Sequence, residues 1–310
     1  MKKLFAVLGL FAFMATIILS SCKKEGSGTP DNSDEAIAHS NDEMRVSNEI
    51  DAVSGEVNLV LSSQAGFAGR GEEVETVICD ATIIVDTTAN PRTVTVTFNG
   101  TSCLGDRTRT GVIVVSMDAN MRWKNPGATV TVSFQNYKVT RISDNKSITI
   151  NGTKTITNQS GGLLINLPTL NSIVHLVNSD GLTITFDDGT ERSWQVARKQ
   201  TYTYENGVVL SVEGNHSDGT VSGIAEWGTN RFGGPFTTVI TEPLVIRQDC
   251  SLRLTGGKVT HEVPLFTVNA WFGLNETGAP TSCPGTAAYY MKLTWSGPAG
   301  NIHTTIIPYY

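Results

Sequence analysis

Apolar residues recur at every second position over most of this chain. Thr93-Val94-Thr95-Val96-Thr97-Phe98, Thr129-Val130-Thr131-Val132-Ser133-Phe134, Ser147-Ile148-Thr149-Ile150 and Thr183-Ile184-Thr185-Phe186 all alternate. Such alternation buries one face of a strand and wets the other, which marks antiparallel sheets. Six dipeptides punctuate the pattern: Asn99-Gly100, Asn151-Gly152, Asp180-Gly181, Asp188-Gly189, Asn206-Gly207 and Asp218-Gly219. These residue types supply the positive φ angles that tight hairpins need. The pattern predicts an all-β fold, an antiparallel hairpin meander forming a sandwich or a rolled sheet, with one N-terminal helix. Alternation reads the same for a sandwich and a roll.

The helix is read before residue 75, where the period differs. Ser40-Asn41-Asp42-Glu43 matches a capping box, and Val46, Ile50, Val53 and Val57 follow at helical spacing. The spacing predicts a helix over 41–62, broken by the glycines of 66–71. Upstream, Lys23 to about His39 is polar, with Gly26, Gly28 and Pro30. That composition predicts a flexible tether over 22–39, holding the following domain roughly 20–25 Å from its attachment point. The remainder, 40–310, reads as one β-rich globular region, with a candidate subdomain break at 158–162.

The first 22 residues change the picture. Lys2 and Lys3 precede an apolar run over 4–19, and Leu19-Ser20-Ser21-Cys22 follows. A membrane-spanning helix needs about 20 apolar residues, so a processed signal fits better. The segment resembles the lipobox cut by bacterial signal peptidase II. That resemblance implies removal of the signal peptide, 1–21, and lipidation of Cys22. Acyl chains at about 0.8 kcal/mol per buried methylene make such an anchor effectively permanent. Position 23 is Lys rather than the Asp of an inner-membrane retention signal. The expected address is therefore the outer membrane, periplasmic or surface-facing.

Composition adds little that is specific. The formal charge is −6; without Lys2 and Lys3, 21 basic residues face 29 acidic ones. No basic stripe is visible, which argues against nucleic acid as a partner. Five cysteines are an odd number for an oxidising compartment. Setting Cys22 aside leaves Cys79, Cys103, Cys250 and Cys283, an even set with three possible connectivities. Proximity in sequence favours Cys79–Cys103 and Cys250–Cys283. The first pair also suits a hairpin turning at Ala89-Asn90-Pro91. Neither a CxxC nor a nearby histidine pair suggests a metal, and no cofactor is expected.

Gly105-Asp106-Arg107-Thr108-Arg109-Thr110-Gly111, Ile224-Ala225-Glu226-Trp227-Gly228, Gly233-Gly234-Pro235-Phe236 and Pro243-Leu244 ahead of Cys250 form a familiar series. Together with the lipobox and tether, they resemble an uncharacterised β-rich lipoprotein family of Bacteroidota. The chain departs from that pattern after Cys283, where Pro284-Gly285 stands in place of an acid. The resemblance implies a fold and an address, and no activity.

Candidate chemistry is sparse. His216-Ser217-Asp218 holds the residue types of a catalytic triad, but adjacent strand or turn residues point apart. Asp187-Asp188-Gly189-Thr190-Glu191 reads as a carboxylate loop or, more simply, a solvated turn. Arg107 and Arg109 share a strand face and could clamp an anionic ligand, or pair with neighbouring acids. Trp227, Trp271 and Trp295 lead a concentration of aromatics in the last third that could present a platform to a glycan or an envelope protein. They could equally fill a β core. The expected role is non-enzymatic: structural or binding, in the cell envelope. The alternatives are a glycan-binding or adhesin-like surface lipoprotein, and an envelope hydrolase built on Asp187, Asp188 and Glu226.

Overall fold

The computed structural model describes residues 33–69, 78–250, 252–281, 283, 288–296 and 300–309. Cys22, the expected signal peptide at 1–21 and Tyr310 lie outside them. Among the described residues, fifteen strands form one antiparallel sheet around one long helix. The helix α1 spans Ser33–Ser63, and a short α2, Ala65–Ala68, follows it. The strands are β1 (Ala81–Asp86), β2 (Arg92–Thr101), β3 (Arg107–Met117), β4 (Ala128–Arg141), β5 (Ser147–Asn158), β6 (Ile173–Phe186) and β7 (Glu191–Tyr204). The second half comprises β8 (Val208–Gly214), β9 (His216–Ser217), β10 (Ser222–Thr229), β11 (Pro235–Arg247), β12 (Arg253–Val263), β13 (Phe266–Leu274), β14 (Tyr290–Ser296) and β15 (Ile302–Pro308). Each strand pairs with the next, except where β8 and β10 share the space between β7 and β11.

The rolled sheet, rather than the sandwich, is what forms. The inward positions of each alternating segment, such as Val94, Val96 and Phe98 or Val130, Val132 and Phe134, are buried against α1. Val46, Ile50, Val53 and Val57 meet β2 to β7 in one apolar cluster. Ala36 and Met44 join a second cluster with β8 and β11 to β14. The sheet is continuous across 158–162, so the chain does not divide there. Instead the Asn158 amide is buried and donates to the carbonyls of Trp123 and Gly162.

Two local expectations are corrected. The helix spans Ser33–Ser63, taking in the seven residues before the expected cap, so 33–39 are helical where a flexible tether was expected. Ser40 lies inside the helix, where its hydroxyl donates to the Ala36 carbonyl at 2.9 Å. Glu43 turns to Arg192 instead of closing a capping box. Asp34 and Glu35 in the first turn complement the helix dipole and are the better start signal. The second correction concerns turns. Asp188-Gly189, Asn206-Gly207 and Asp218-Gly219 do make turns, whereas Asn99-Gly100, Asn151-Gly152 and Asp180-Gly181 lie inside β2, β5 and β6. Gly152 and Gly181 sit at register shifts with φ of +116° and +157°. Such bulges bend long strands, and here they curl the sheet around the helix.

Candidate functional site

The polar face of α1 is not on the surface. Most of the helix is buried, and only Asp34, Ala52, Gly55 and Leu59 are exposed along it. Its acids meet cations that project from the concave side of the sheet. Asp42 accepts two bonds from Arg231, each 2.6 Å. Glu43 pairs with Arg192, and Glu49 with Arg107. Asp51 pairs with Arg198 at 2.8 Å, and Glu56 with Arg109 at 2.7 Å. Between them, Lys154 donates to the Ile50 carbonyl and the Ser54 hydroxyl at 2.9 and 2.6 Å.

Aromatic rings back these cations. Arg109 lies 4.5 Å from the centroid of Phe98, Arg192 4.5 Å from Phe236, and Arg231 3.6 Å from Phe186. Each arginine is therefore held between a ring of the sheet and a carboxylate of the helix, which combines cation–π attraction with a charge-assisted hydrogen bond. For Arg109 on β3 and Phe98 on the adjacent β2, alternation makes this possible, because both occupy inward positions.

Arg107 and Arg109 thus find their anions within the chain. Arg109 takes Asp80 bidentately at 2.7 and 2.6 Å in addition to Glu56. Arg107 also bonds Asp106. The anionic-ligand reading is replaced by helix docking, because the partner acids lie on α1 and before β1, where no motif linked them. The envelope-hydrolase reading loses its geometry as well. Glu226 is buried, accepts from the Trp194 indole at 2.9 Å and from Ser47 at 2.6 Å, and pairs with Arg198. Asp187 and Asp188 sit on an exposed turn, where Asp188 accepts from Thr190.

A group of polar side chains lies between α1, β7 and β10 to β13. Glu43, Ser47, Asp51, Arg198, Glu226 and His261 border a cavity of about 30 Å³, closed on its other side by Leu244, Leu254 and Phe272. That is room for about one water. His39 meets Phe236 and His261 edge-on, with centroids 5.3 Å apart in both cases. Burial drives His39 down to about 3 and His261 to about 4, so both rings are neutral at physiological pH. Burial pushes the Glu43 carboxyl up, but the Arg192 guanidinium beside it outweighs burial and leaves Glu43 below its usual range. Burial raises Asp42, Glu49 and Glu56 despite their arginines, and lowers Lys154 to about 7.

The three tryptophans do not form one platform. Trp295 is buried and faces the core, because its partner across the ladder is the inward Val268. Trp227 and Trp271 are half-buried on the convex face. Trp227 stacks on His216 with centroids 4.3 Å apart. Trp271 lies between Lys258 and Lys292, whose ammonium groups are 4.9 and 4.8 Å from its ring.

Both disulfides form as sequence proximity suggested, with Cα separations of 5.2 Å for Cys79–Cys103 and 5.7 Å for Cys250–Cys283. Asp249 stands beside the second, but its carboxylate is taken by Arg247. Among the described residues no helix is long and apolar enough to cross a membrane. The sequence matches no protein-family profile, no curated protein and no solved structure.

Proposed function

We propose that this chain is an outer-membrane lipoprotein, anchored through Cys22, with a non-enzymatic structural or binding role in the cell envelope. One observation carries the role. Glu226, Arg107 and Arg109, the residues best suited to chemistry, are occupied in holding α1 inside the sheet. Two disulfides, formed once Cys22 is set aside, support the exported address.

The anchor is tested by expressing the chain in a bacterium with an outer membrane and analysing its N-terminus by mass spectrometry. Lipid on Cys22 and loss of 1–21 are expected, and Cys22→Ser should accumulate as unprocessed precursor. An unmodified Cys22 in processed protein would overturn the anchor. Protease treatment of intact and lysed cells then separates surface from periplasmic exposure.

A glycan-binding reading is favoured by Trp227 and Trp271, which share the convex face of the second half of the sheet. Aromatic faces of this kind bind sugar rings. Trp271→Ala should abolish polysaccharide binding in affinity electrophoresis while leaving the melting temperature unchanged. Equal retardation of both proteins would remove the reading.

A further inference from the structure

We propose that one end of the sheet, formed by the hairpin turns nearest the start of α1, rests on the lipid bilayer. The proposal builds on the lipid anchor and adds a second, non-covalent contact.

The meander sends alternate turns to opposite ends of the molecule. At one end lie the turns β2–β3, β4–β5, β6–β7, β10–β11, β12–β13 and β14–β15, in a rim that the ladder registers make continuous. The first half of α1 belongs to this rim. Asp42 bonds Arg231 of the β10–β11 turn, Arg45 donates to the Lys146 carbonyl of the β4–β5 turn, and His39 packs on Phe236 and His261. The helix then crosses the sheet, so that Asn58 of α1 meets Trp123, and Gly66 of α2 meets Arg92, at the far end.

Four of the six rim turns carry a large exposed apolar side chain, and a fifth opens the strand β15 beside its turn. These are Leu104 (73% exposed), Ile142 (47%), Phe232 (50%), Leu265 (61%) and Ile302 (79%). Ile165, Leu170, Tyr204 and Leu252 are exposed at the opposite end, so exposure makes each end a candidate interaction surface, and the reach of the anchor chooses between them. The charges around them are largely self-neutralised: Arg107 pairs with Asp106, Arg141 with Asp144, and Arg231 with Asp188. A rim of apolar tips among paired charges suits the interface of a bilayer.

Chain length selects the occupant. Ten residues, 23–32, separate Cys22 from Ser33. Fully extended they span at most about 35 Å, and as a coil about 16–19 Å. The strands β4, β6 and β7 have 14 residues each, which at roughly 3.3 Å per residue is about 45 Å. A lipid on Cys22 therefore holds the rim against the membrane and the opposite turns well away from it. Tyr204 and Leu252, exposed at that opposite end, supply an internal control.

The test uses the mature lipidated protein in vesicles of phosphatidylethanolamine and phosphatidylglycerol, with a protease site placed within 23–32. Before cutting, flotation reports the anchor; after cutting, it reports the rim. The cut domain should stay with the vesicles. Replacing the tips together (Leu104→Ser, Phe232→Ser, Leu265→Ser, Ile302→Ser) should lower its retention about tenfold or more. Tyr204→Ser with Leu252→Ser should leave retention unchanged. Independently of the serine variants, Phe232→Trp should gain fluorescence quenched by brominated lipids, and Tyr204→Trp should not. Release of the cut domain as a monomer would show the tips to be plain solvent turns, and release as a dimer would assign them to a second copy. Either result overturns the proposal. Failure to float before cutting overturns the anchor, and this contact with it.

Discussion

At the residue scale, the informative positions are charged and buried. Glu43 and Arg192 are 2% exposed each, and their pairing crosses from helix to sheet. Desolvating two such groups costs several kcal/mol, which their attraction recovers only while both are present. Arg192→Met should therefore destabilise by about 3–5 kcal/mol, and adding Glu43→Met should restore most of the loss. Denaturant titration of the two single variants and the double variant closes the cycle; additive losses would mean that the pair is not coupled. Lys154 is a different case, since its direct partners are a carbonyl and a hydroxyl rather than a carboxylate. Ser54 already donates to the Ile50 carbonyl, so Lys154→Met leaves no donor stranded. This variant should be more stable than the wild type, by about 1–4 kcal/mol below pH 7. Lys154 binds its proton less readily in the folded state, so the burial penalty is largest below about 7 and fades as pH rises toward 10.5. A gain that stayed constant from pH 6 to pH 10 would contradict that origin.

At the element scale, α1 shows both what the sequence reveals and what it hides. The stripe Val46, Ile50, Val53 and Val57 identified a helix because those residues meet the core. The residues around the stripe are acids, serines and asparagine, which by periodicity describe a solvent-facing side. The acids Asp42, Glu43, Glu49, Asp51 and Glu56 sit against the sheet because it answers each with an arginine, and no local pattern links Glu43 to Arg192 across 149 residues. For the same reason Arg107 and Arg109 read as a ligand clamp. The strands were legible where Thr and Val alternate. Asn151-Gly152 misled because a bulge needs the same positive φ as a turn. Glycine substitutions separate these roles. Gly55 lies in mid-helix, and a Cβ there would meet nothing within 4 Å. Gly55→Ala should add about 0.5–1 kcal/mol. Gly111, at φ +100°, would place a Cβ 2.2 Å from the Asn136 carbonyl oxygen. Gly111→Ala should cost more than the first change gains, because the β3–β4 bulge must shift. Thermal melts of both proteins check the opposite signs.

At the scale of the whole molecule, a helix enclosed by a sheet makes stability depend on groups that stay neutral. His39, His175 and His261 are lowered by burial to about 3, 4 and 4. In the unfolded chain an imidazole titrates near 6.5. Between that value and about 4 the unfolded state binds more protons, so acid favours unfolding. The stabilisation is complete above pH 6.5 and is lost as pH falls toward 4. Asp42, Glu49 and Glu56 work the other way, because their raised carboxyls take up protons while still folded. The net loss is therefore smaller than three imidazoles would give alone. His175 offers the cleanest separation. It packs among Trp123 and Tyr202, with centroids 5.1 and 5.0 Å away, and its Nε2 has no hydrogen-bond partner. His175→Phe should keep that aromatic packing at pH 7.5 and remove up to about 3 kcal/mol of the acid sensitivity, at 1.36 kcal/mol per pH unit. Urea midpoints at pH 7.5, 6 and 5 should fall steeply for the wild type and less steeply for the variant. Parallel slopes would place the acid response elsewhere, at Glu43 and the paired helix that it helps to hold.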